Sequence, residues 1–165
     1  MTGLPAELVV PRPNMIDREF WAHCAQRRLM FQACGECGLL RHPPTPFCSS
    51  CQSTRLAWRE APSVGAIYSY TISFISQEHG LKDTTPYTIA IVEFPDFGPV
   101  RLVTNVEADV ARLKVGLKVE LFWLPAGADI ALPLFRPVEE ANKARSLATE
   151  QSLALDKGFG ILGDA

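Results

Sequence analysis

Four cysteines form two closely spaced pairs in the first third of the chain. Two residues separate Cys34 from Cys37 and Cys48 from Cys51, and ten residues lie between the pairs. A tight turn through each pair directs both sulfurs to one point, and backbone N–H groups of the turn donate to the thiolates. Four thiolates leave no open position for a substrate or an activated water. The spacing therefore predicts one closed, structural metal site, with zinc as the expected ion.

Other readings of the cysteines remain open on chemical grounds. Iron is the alternative metal, because four thiolates also bind iron. Unligated thiols or a redox pair are a further alternative, which this spacing disfavours. The N-terminus has no basic start followed by an apolar secretory segment, so we expect a cytoplasmic protein without disulfides. The fifth cysteine, Cys24, lies on an apolar helical stripe and is expected to be a buried small hydrophobe.

The sequence offers no catalytic constellation. His23, His42 and His79 have no neighbours that specify an acid–base pair or a nucleophile with its base, so surface or structural roles are expected. The chain also lacks a G-x-S-x-G elbow, an H-E-x-x-H helix, a phosphate-binding P-loop and a dinucleotide fingerprint. We therefore expect a binding or accessory role, with no catalytic residue in this chain.

Length and charge narrow the class of protein further. A chain of 165 residues suits one ordinary domain, or a small module attached to a modest one. The net charge of −2 argues against a general nucleic-acid binder, since such proteins display a strongly basic surface. No apolar run is long enough to cross a membrane.

The elements around the cysteine pairs can be predicted from periodicity. A helix should begin at Asn14, its cap, with Asp17 in the first turn, and end near residue 28. Its apolar stripe comprises Ile16, Phe20, Trp21 and Cys24. A short strand over residues 29–32 should then enter the first cysteine pair.

Beyond residue 62 the pattern becomes that of short β-strands. Strands are predicted at residues 65–75, 87–94, 100–106, 117–123 and 132–135, with a short helix at 107–114 stopped by Gly116. Along the first of them, positions 66, 68, 70, 72 and 74 are apolar, which places Tyr68 and Tyr70 in the core rather than on a base-stacking surface. The loop at 76–86 suits a ligand contact or a solvated connection equally well.

The order of these elements predicts a mainly β protein with a five-stranded OB-type barrel, and a small β-sandwich is the runner-up. We divide the chain into an N-terminal arm and helix (1–32), a metal module (33–59), a barrel domain (60–137) and a C-terminal tail (138–165). The tail is charged and alanine-rich, with helical tendency.

Several motifs in fixed order carry a family resemblance. They are Phe20-Trp21, the double cysteine pair with His42-Pro43-Pro44 inside it, Leu56-Ala57-Trp58, residues 65–71, Pro86-Tyr87 with residues 89–93, and residues 113–116 before Val119. In this order, over residues 20–135, the chain resembles the DUF35 family, also described as acyl-CoA-associated zinc-ribbon and OB-fold proteins.

The resemblance implies a rubredoxin-like zinc ribbon followed by an OB-fold barrel. It also implies an accessory subunit of a thiolase-like or acyltransferase-type enzyme, which reaches acyl-CoA through the complex and leaves the reactive groups to the partner. In one respect the chain departs from the family: Thr45-Pro46 follows Pro44 where many relatives carry an arginine. This weakens the case for a phosphate contact at that turn, although Arg41 lies just before it.

Two alternative functions belong to other classes. A stand-alone OB-fold module that binds single-stranded nucleic acid would use the same barrel, although the acidic balance disfavours it. Independent acyl-CoA binding by this chain would depend on loosely grouped basic residues, namely Arg27, Arg28, Arg41 and Lys82.

Overall fold

The computed structural model describes residues 11–75, 86–127 and 129–142. Helix α1 spans Arg18–Ala25 and follows a turn that begins at Asn14. The Asn14 side chain accepts from the backbone N–H of Ile16 at 2.7 Å and of Asp17 at 3.3 Å, and the Asp17 carboxylate accepts from the Asn14 N–H at 2.7 Å. The predicted Asn14–Asp17 pair forms, but in the turn before the helix, since α1 begins at Arg18 with Asp17 as its N-cap and not with Asn14.

The apolar stripe of α1 is shorter than predicted. Phe20 and Cys24 are buried, but Ile16 is 50% exposed, because it lies in the capping turn, before the first regular helical residue. The helix ends at Ala25, before Arg27 takes a left-handed backbone conformation with φ of 59°.

Three short strands form the sheet of the metal module. They are β1 (Met30–Cys34), β2 (Leu40–Arg41) and β3 (Leu56–Glu60), in the antiparallel order β2-β1-β3. The central strand β1 is buried along its whole length. Its last residue is the first cysteine of the site, so the first cysteine pair begins at the end of a fixed strand.

Five longer strands form a second, curled antiparallel sheet. They are β4 (Val64–Ser73), β5 (Tyr87–Phe94), β6 (Gly98–Asn105), β7 (Lys118–Ala126) and β8 (Ile130–Pro137). Their order is β6-β5-β4-β7-β8, and a parallel bridge between Val106 and Phe135 joins the two outer strands at one end. This is an OB-like half-barrel, as predicted, and not the β-sandwich. Residues 138–142 are helical.

The helix predicted at 107–114 is one 3₁₀ turn, Val110–Arg112. The Asp109 carboxylate caps it by accepting from the Ala111 N–H at 3.0 Å. Leu113 is already extended, and its carbonyl accepts from the Tyr70 hydroxyl at 3.0 Å. Burial of Leu113 and this bond to β4 outweigh the weak local helical tendency.

A β-bulge corrects the prediction for β4. The register with β5 shifts between Ile67 and Ser69, so Ile67 is fully buried while Tyr68 is 43% exposed. Beyond the bulge Tyr70 packs against the core, as predicted. Phe74, predicted to be inward, lies past the end of the strand and is 69% exposed. An extra residue in a bulge reverses the alternation of sides, which strict period two cannot anticipate.

The helix, the metal module and the barrel share one hydrophobic core. Phe31 of β1 packs on Phe94 of β5 with ring centroids 5.5 Å apart, and Phe94 in turn lies 6.3 Å from Phe135. Leu40 fills the space above Gly98, where a Cβ would lie 2.9 Å from its Cδ1 atom. The metal module is therefore fixed against one end of the barrel.

Some predicted features lie outside the described residues: the N-terminal arm at 1–10, residues 76–85 of the long loop, and the tail from residue 143 onward. Among the described residues, no helix is long and apolar enough to cross a membrane.

Candidate metal centre and neighbouring site residues

The four cysteine sulfurs converge on one point. Their Sγ atoms all lie within 4.8 Å of one another, with Cys34 and Cys51 at 3.5 Å and Cys37 and Cys48 at 3.6 Å. In a tetrahedral zinc site with Zn–S bonds of about 2.3 Å, the sulfurs are about 3.8 Å apart. The sulfur tetrad therefore matches the size of a tetrathiolate site.

Each cysteine pair forms the same backbone turn. The N–H of Gly38 donates to the Cys34 carbonyl at 3.0 Å, and the N–H of Gln52 donates to the Cys48 carbonyl at 2.9 Å. Gly38 and Gln52 both have left-handed backbones, with φ of 73° and 58°. Because Gln52 pays a steric cost that glycine avoids, the turn is imposed by its surroundings.

Backbone N–H groups favour the thiolate forms. The N–H of Glu36 lies 3.4 Å from the Cys34 sulfur, and the N–H of Ser50 lies 3.4 Å from the Cys48 sulfur. The Cys37 N–H is the main cause that lowers the pKa of Cys34 to about 7, and the Cys51 N–H likewise lowers the pKa of Cys48. At Cys51 the backbone of Ser53 also lowers the pKa, but the bond to Cys34, burial and the other sulfurs together raise it to about 11. Four thiolates at this point therefore require a cation.

Burial distinguishes the two cysteines of each pair. Cys34 and Cys48 are buried, whereas Cys37 and Cys51 are exposed. The Gly35 N–H donates to the Arg55 carbonyl and ties the first pair to the residue before β3, whereas the Cys48 N–H donates to the Ser53 carbonyl and closes the second turn on itself, both at 2.9 Å. The site lies at the tip of the three-stranded sheet.

Cys24 lies apart from the sulfur tetrad, in the hydrophobic core. It is fully enclosed in the core, and burial raises the pKa of its thiol to about 12. The sequence-based interpretation of Cys24 as a small hydrophobe is confirmed.

A polar side chain behind the cysteine turns was missed by sequence analysis. Gln32 lies on β1 and is 2% exposed. Its Oε1 atom accepts from the Arg41 Nε at 2.5 Å and from the Thr45 N–H at 2.9 Å, which fixes the loop between the two cysteine pairs. In the sequence, the one sign of this role was a polar residue within an otherwise apolar short strand.

The basic residues considered for acyl-CoA binding do not form one site. Arg41 is buried on Gln32, and Arg28 forms an ion pair with Glu60 at 2.9 Å. Arg27 lines a separate cavity of about 270 Å³ at the tip of the β7–β8 hairpin. Lys82 lies outside the described residues.

Two of the three histidines pack against aromatic rings. His23 lies 5.1 Å from the Trp58 ring, and neither of its buried ring nitrogens has a hydrogen-bond partner. His42 lies between Phe20 at 4.8 Å and Phe31 at 5.3 Å, and burial lowers its pKa to about 4. These aromatic contacts agree with the structural roles expected for His23 and His42. His79 lies outside the described residues.

Comparison with known proteins accounts for both halves of the fold. Residues 21–57 match the rubredoxin-like zinc ribbon domain of ChsH2, and residues 58–124 match the ChsH2 C-terminal OB-fold domain. A solved structure described as "Ltp2-ChsH2(DUF35) aldolase" contains a chain that is 36% identical, with a TM-score of 0.70 over 78% of this chain and 98% of that one. The chain belongs to the DUF35 family.

Further relatives of this DUF35 protein fit the assignment. A Thermomonospora curvata protein described as "Probable enoyl-CoA hydratase alpha subunit" is 38% identical over 130 residues, which cover 77% of this chain. The DUF35 chain spans about 40% of the length of that relative. A DUF35 protein of unknown function from Sulfolobus solfataricus, 22% identical, shares the fold with a TM-score of 0.52 over 73% of this chain and 83% of that one.

The family match also decides the metal. Four close sulfurs within a zinc ribbon domain identify a structural zinc site in this DUF35 protein. The metal would supply folding energy by crosslinking two turns that have little core of their own.

Proposed function

We propose that this DUF35 protein is a non-catalytic subunit of a thiolase-like enzyme that acts on acyl-CoA. In this role it would stabilise the partner or shape the channel through which the acyl-CoA substrate passes. The observation that carries the proposal is the likeness to nearly the whole ChsH2 chain of the Ltp2-ChsH2(DUF35) aldolase. The partner would supply the groups that cleave, condense or transfer the acyl unit.

The metal site supports a structural rather than a catalytic role for this chain. We propose that Cys34, Cys37, Cys48 and Cys51 each give one thiolate to the zinc. Such a shell has no place for a reacting water or carbonyl, so the zinc cannot act as a Lewis acid. Among the described histidines, His42 is neutral at pH 7 and enclosed by aromatic rings.

The same geometry disfavours acyl-CoA binding by the isolated chain. The 3′-phosphate and the 5′-diphosphate of CoA need accessible cations, and two of the candidate arginines already have other partners. Arg41 is buried against a neutral amide, and the half-exposed Arg28 shares its charge with Glu60 in a surface ion pair. We infer that any contact with the acyl-CoA is completed by the partner.

A second candidate is a subunit of an enoyl-CoA hydratase, which the name of the Thermomonospora curvata relative favours. Both candidates place the chain beside an enzyme that acts on acyl-CoA. They differ in the bond that the partner makes or breaks, namely carbon–carbon in one case and carbon–oxygen in the other.

Co-expression with candidate partners, one thiolase-like protein and one hydratase-like protein, tests the proposal. A tag on the DUF35 chain should retain the thiolase-like protein through size-exclusion chromatography, and the mass by light scattering should equal that of a hetero-oligomer. The complex should cleave a β-hydroxyacyl-CoA or β-ketoacyl-CoA faster than the partner alone.

The outcomes separate the two candidates. Retention of the hydratase-like protein, with faster hydration of an enoyl-CoA, would replace the first candidate by the second. If both proteins elute separately and neither activity changes, the subunit role is wrong.

A further inference from the structure

The half-barrel is open on one side, between β6 and β8. In the described part of the chain these strands bridge at Val106 and Phe135, and then diverge past a hydrogen bond from the Thr104 hydroxyl to the Pro133 carbonyl at 2.6 Å. Helix α1 and the loop at 42–44 cover the gap incompletely and leave a cleft of about 250 Å³. Its apolar walls include Phe20, Trp21, Leu102, Val103, Leu132 and Leu134.

The cleft is small and carries little charge. Ligand pockets usually have volumes of about 300–1,000 Å³, so this cleft suits one large apolar side chain better than a cofactor. Its ionisable lining residues are Asp17, which accepts from the Asn14 N–H, and His42, whose pKa burial lowers to about 4. No lysine or arginine lines it. A phosphate would find no cation there.

The cleft continues onto the outward side of β4, β5 and β6, which we call the outer face. Ser69, Ile91 and Val103 are aligned across the three strands, and Thr71 and Ile89 form the next row. Val103 is 67% exposed and also lines the cleft, so the two surfaces meet at this residue. Ile89 and Ile91 are half-buried beside it, and an apolar patch that joins a cleft is typical of protein-binding surfaces.

The charge on the outer face is balanced within the face itself. The Arg101 guanidinium lies 3.4 Å from the centroid of the Tyr68 ring and 3.5 Å from the Glu93 carboxylate. The bulge in β4 makes the first contact possible, because it turns Tyr68 outward. Nucleic acid requires free cations along its phosphates, whereas a neutral apolar protein surface requires none.

We propose that the outer face and the cleft together are the docking surface for the partner enzyme. The occupant is an uncharged, apolar stretch of protein that covers Ile89, Ile91 and Val103 and inserts one large side chain into the cleft. This inference rests on the proposed function, since it assigns that function a surface. The zinc ribbon would contribute indirectly, because the loop between its cysteine pairs supplies His42 and Pro43 to the cleft wall.

Val103 provides the test, and Val115 provides a matched control. Both are valines of nearly equal exposure, 67% and 66%, but Val115 lies in the turn before β7 and lines neither surface. Val103→Glu and Val103→Lys should each weaken the Kd for the co-purified partner by at least about tenfold, because a charge buried at an apolar interface loses its hydration. Val115→Glu and Val115→Lys should leave the Kd within about twofold.

Biolayer interferometry with the immobilised partner measures these affinities at two salt concentrations, after metal analysis and thermal melting confirm that each variant is folded. Tighter binding by Val103→Lys together with weaker binding by Val103→Glu would mean an anionic occupant and would overturn the proposal. Equal affinities for the Val103 and Val115 variants would show that the outer face and cleft are not the docking surface, while the subunit role would stand. If the unmodified chain binds no partner, the subunit role and the surface are both wrong.

Discussion

The zinc ribbon and the barrel achieve fixed shapes by different means. Between Cys34 and Leu56 the ribbon has one strand of two residues, whereas each barrel strand has eight to ten. The ribbon's buried side chains, such as Phe31 and Leu40, face the barrel, so little apolar area is left to hold its two cysteine turns. In the ribbon one metal ion takes the place of a hydrophobic core, whereas in the barrel packed side chains form that core.

Removal of a zinc ligand should produce the largest effect and would test the ribbon side of this comparison. Structural zinc contributes about 10–16 kcal/mol in small zinc-finger peptides. Cys48→Ser should therefore reduce zinc from about one per chain to a small fraction and abolish the native near-ultraviolet circular dichroism of the ribbon.

Metal analysis and circular dichroism measure the effect of Cys48→Ser. Cys24→Ala, at the buried cysteine outside the tetrad, is the control and should retain its zinc. A Cys48→Ser protein with full zinc and an unchanged melting temperature would contradict the tetrathiolate assignment.

The seam between the regions should give the next largest effect. Phe31 is fully buried and packs on Phe94 of the barrel. Phe31→Ala should lower the free energy of unfolding by about 3–5 kcal/mol through lost burial and a cavity. Urea denaturation, monitored in parallel with zinc release, should show one shared transition; two separate transitions would mean that the regions unfold independently.

Gly65 tests the barrel without touching the ribbon. A Cβ at this position would lie 2.6 Å from the Val92 Cγ1 atom and 2.8 Å from the Glu93 carbonyl oxygen. Gly65→Ala should therefore cost about 3 kcal/mol in urea denaturation, with zinc content unchanged. Gly116→Ala meets no atom within 4 Å and has only its φ of +81° to oppose it, so about 1 kcal/mol is expected. If both variants lose the same free energy of unfolding, the close contacts at Gly65 are not the cause of its destabilisation.

The smallest effect concerns His42, which belongs to the ribbon loop but faces the barrel cleft. Its pKa is about 4 in the folded chain, below the ordinary value of about 6.5. The unfolded chain therefore binds more protons between these values, so stability is complete above about pH 6.5 and falls as pH decreases toward 4. Between pH 7 and pH 5 the loss should be roughly 2 kcal/mol.

Urea denaturation at pH 7 and pH 5 measures the contribution of His42, and His42→Gln should lose correspondingly less stability over this interval. Zinc content must be equal at both pH values, because acid also protonates thiolate ligands. The same pH dependence in both proteins would show that His42 is not the titrating group.

Local chemistry made several features predictable. The cysteine spacing indicated the metal site, and the reciprocal Asn14–Asp17 cap followed from residue types three positions apart. Strand β5 was predicted with its observed limits, because residues 87–94 are rich in β-branched and aromatic residues and carry apolar residues on both faces. Each of these signals involves residues close together in the chain.

Other features depended on contacts between different elements, which no residue spacing or composition marks. The Gln32–Arg41 bond that fixes the ribbon loop joins two strands, and the Tyr70 hydroxyl is paired across 43 residues with Leu113. The helix predicted at 107–114 was wrong for this reason, because a tertiary hydrogen bond and burial overrode a weak local preference.

The sequence by itself determined that a metal would crosslink the ribbon. Two pairs of cysteines, each separated by two residues, form turns that direct four thiolates to one point wherever they occur. Only the tertiary structure decided which way the barrel presents its side chains. A single extra residue in β4 buries Ile67 and turns Tyr68 outward, where it meets Arg101 from β6. The cleft likewise exists because β6 and β8 diverge beyond one bridge. Register and sheet closure depend on the sum of many packing contacts, and no local pattern encodes that sum.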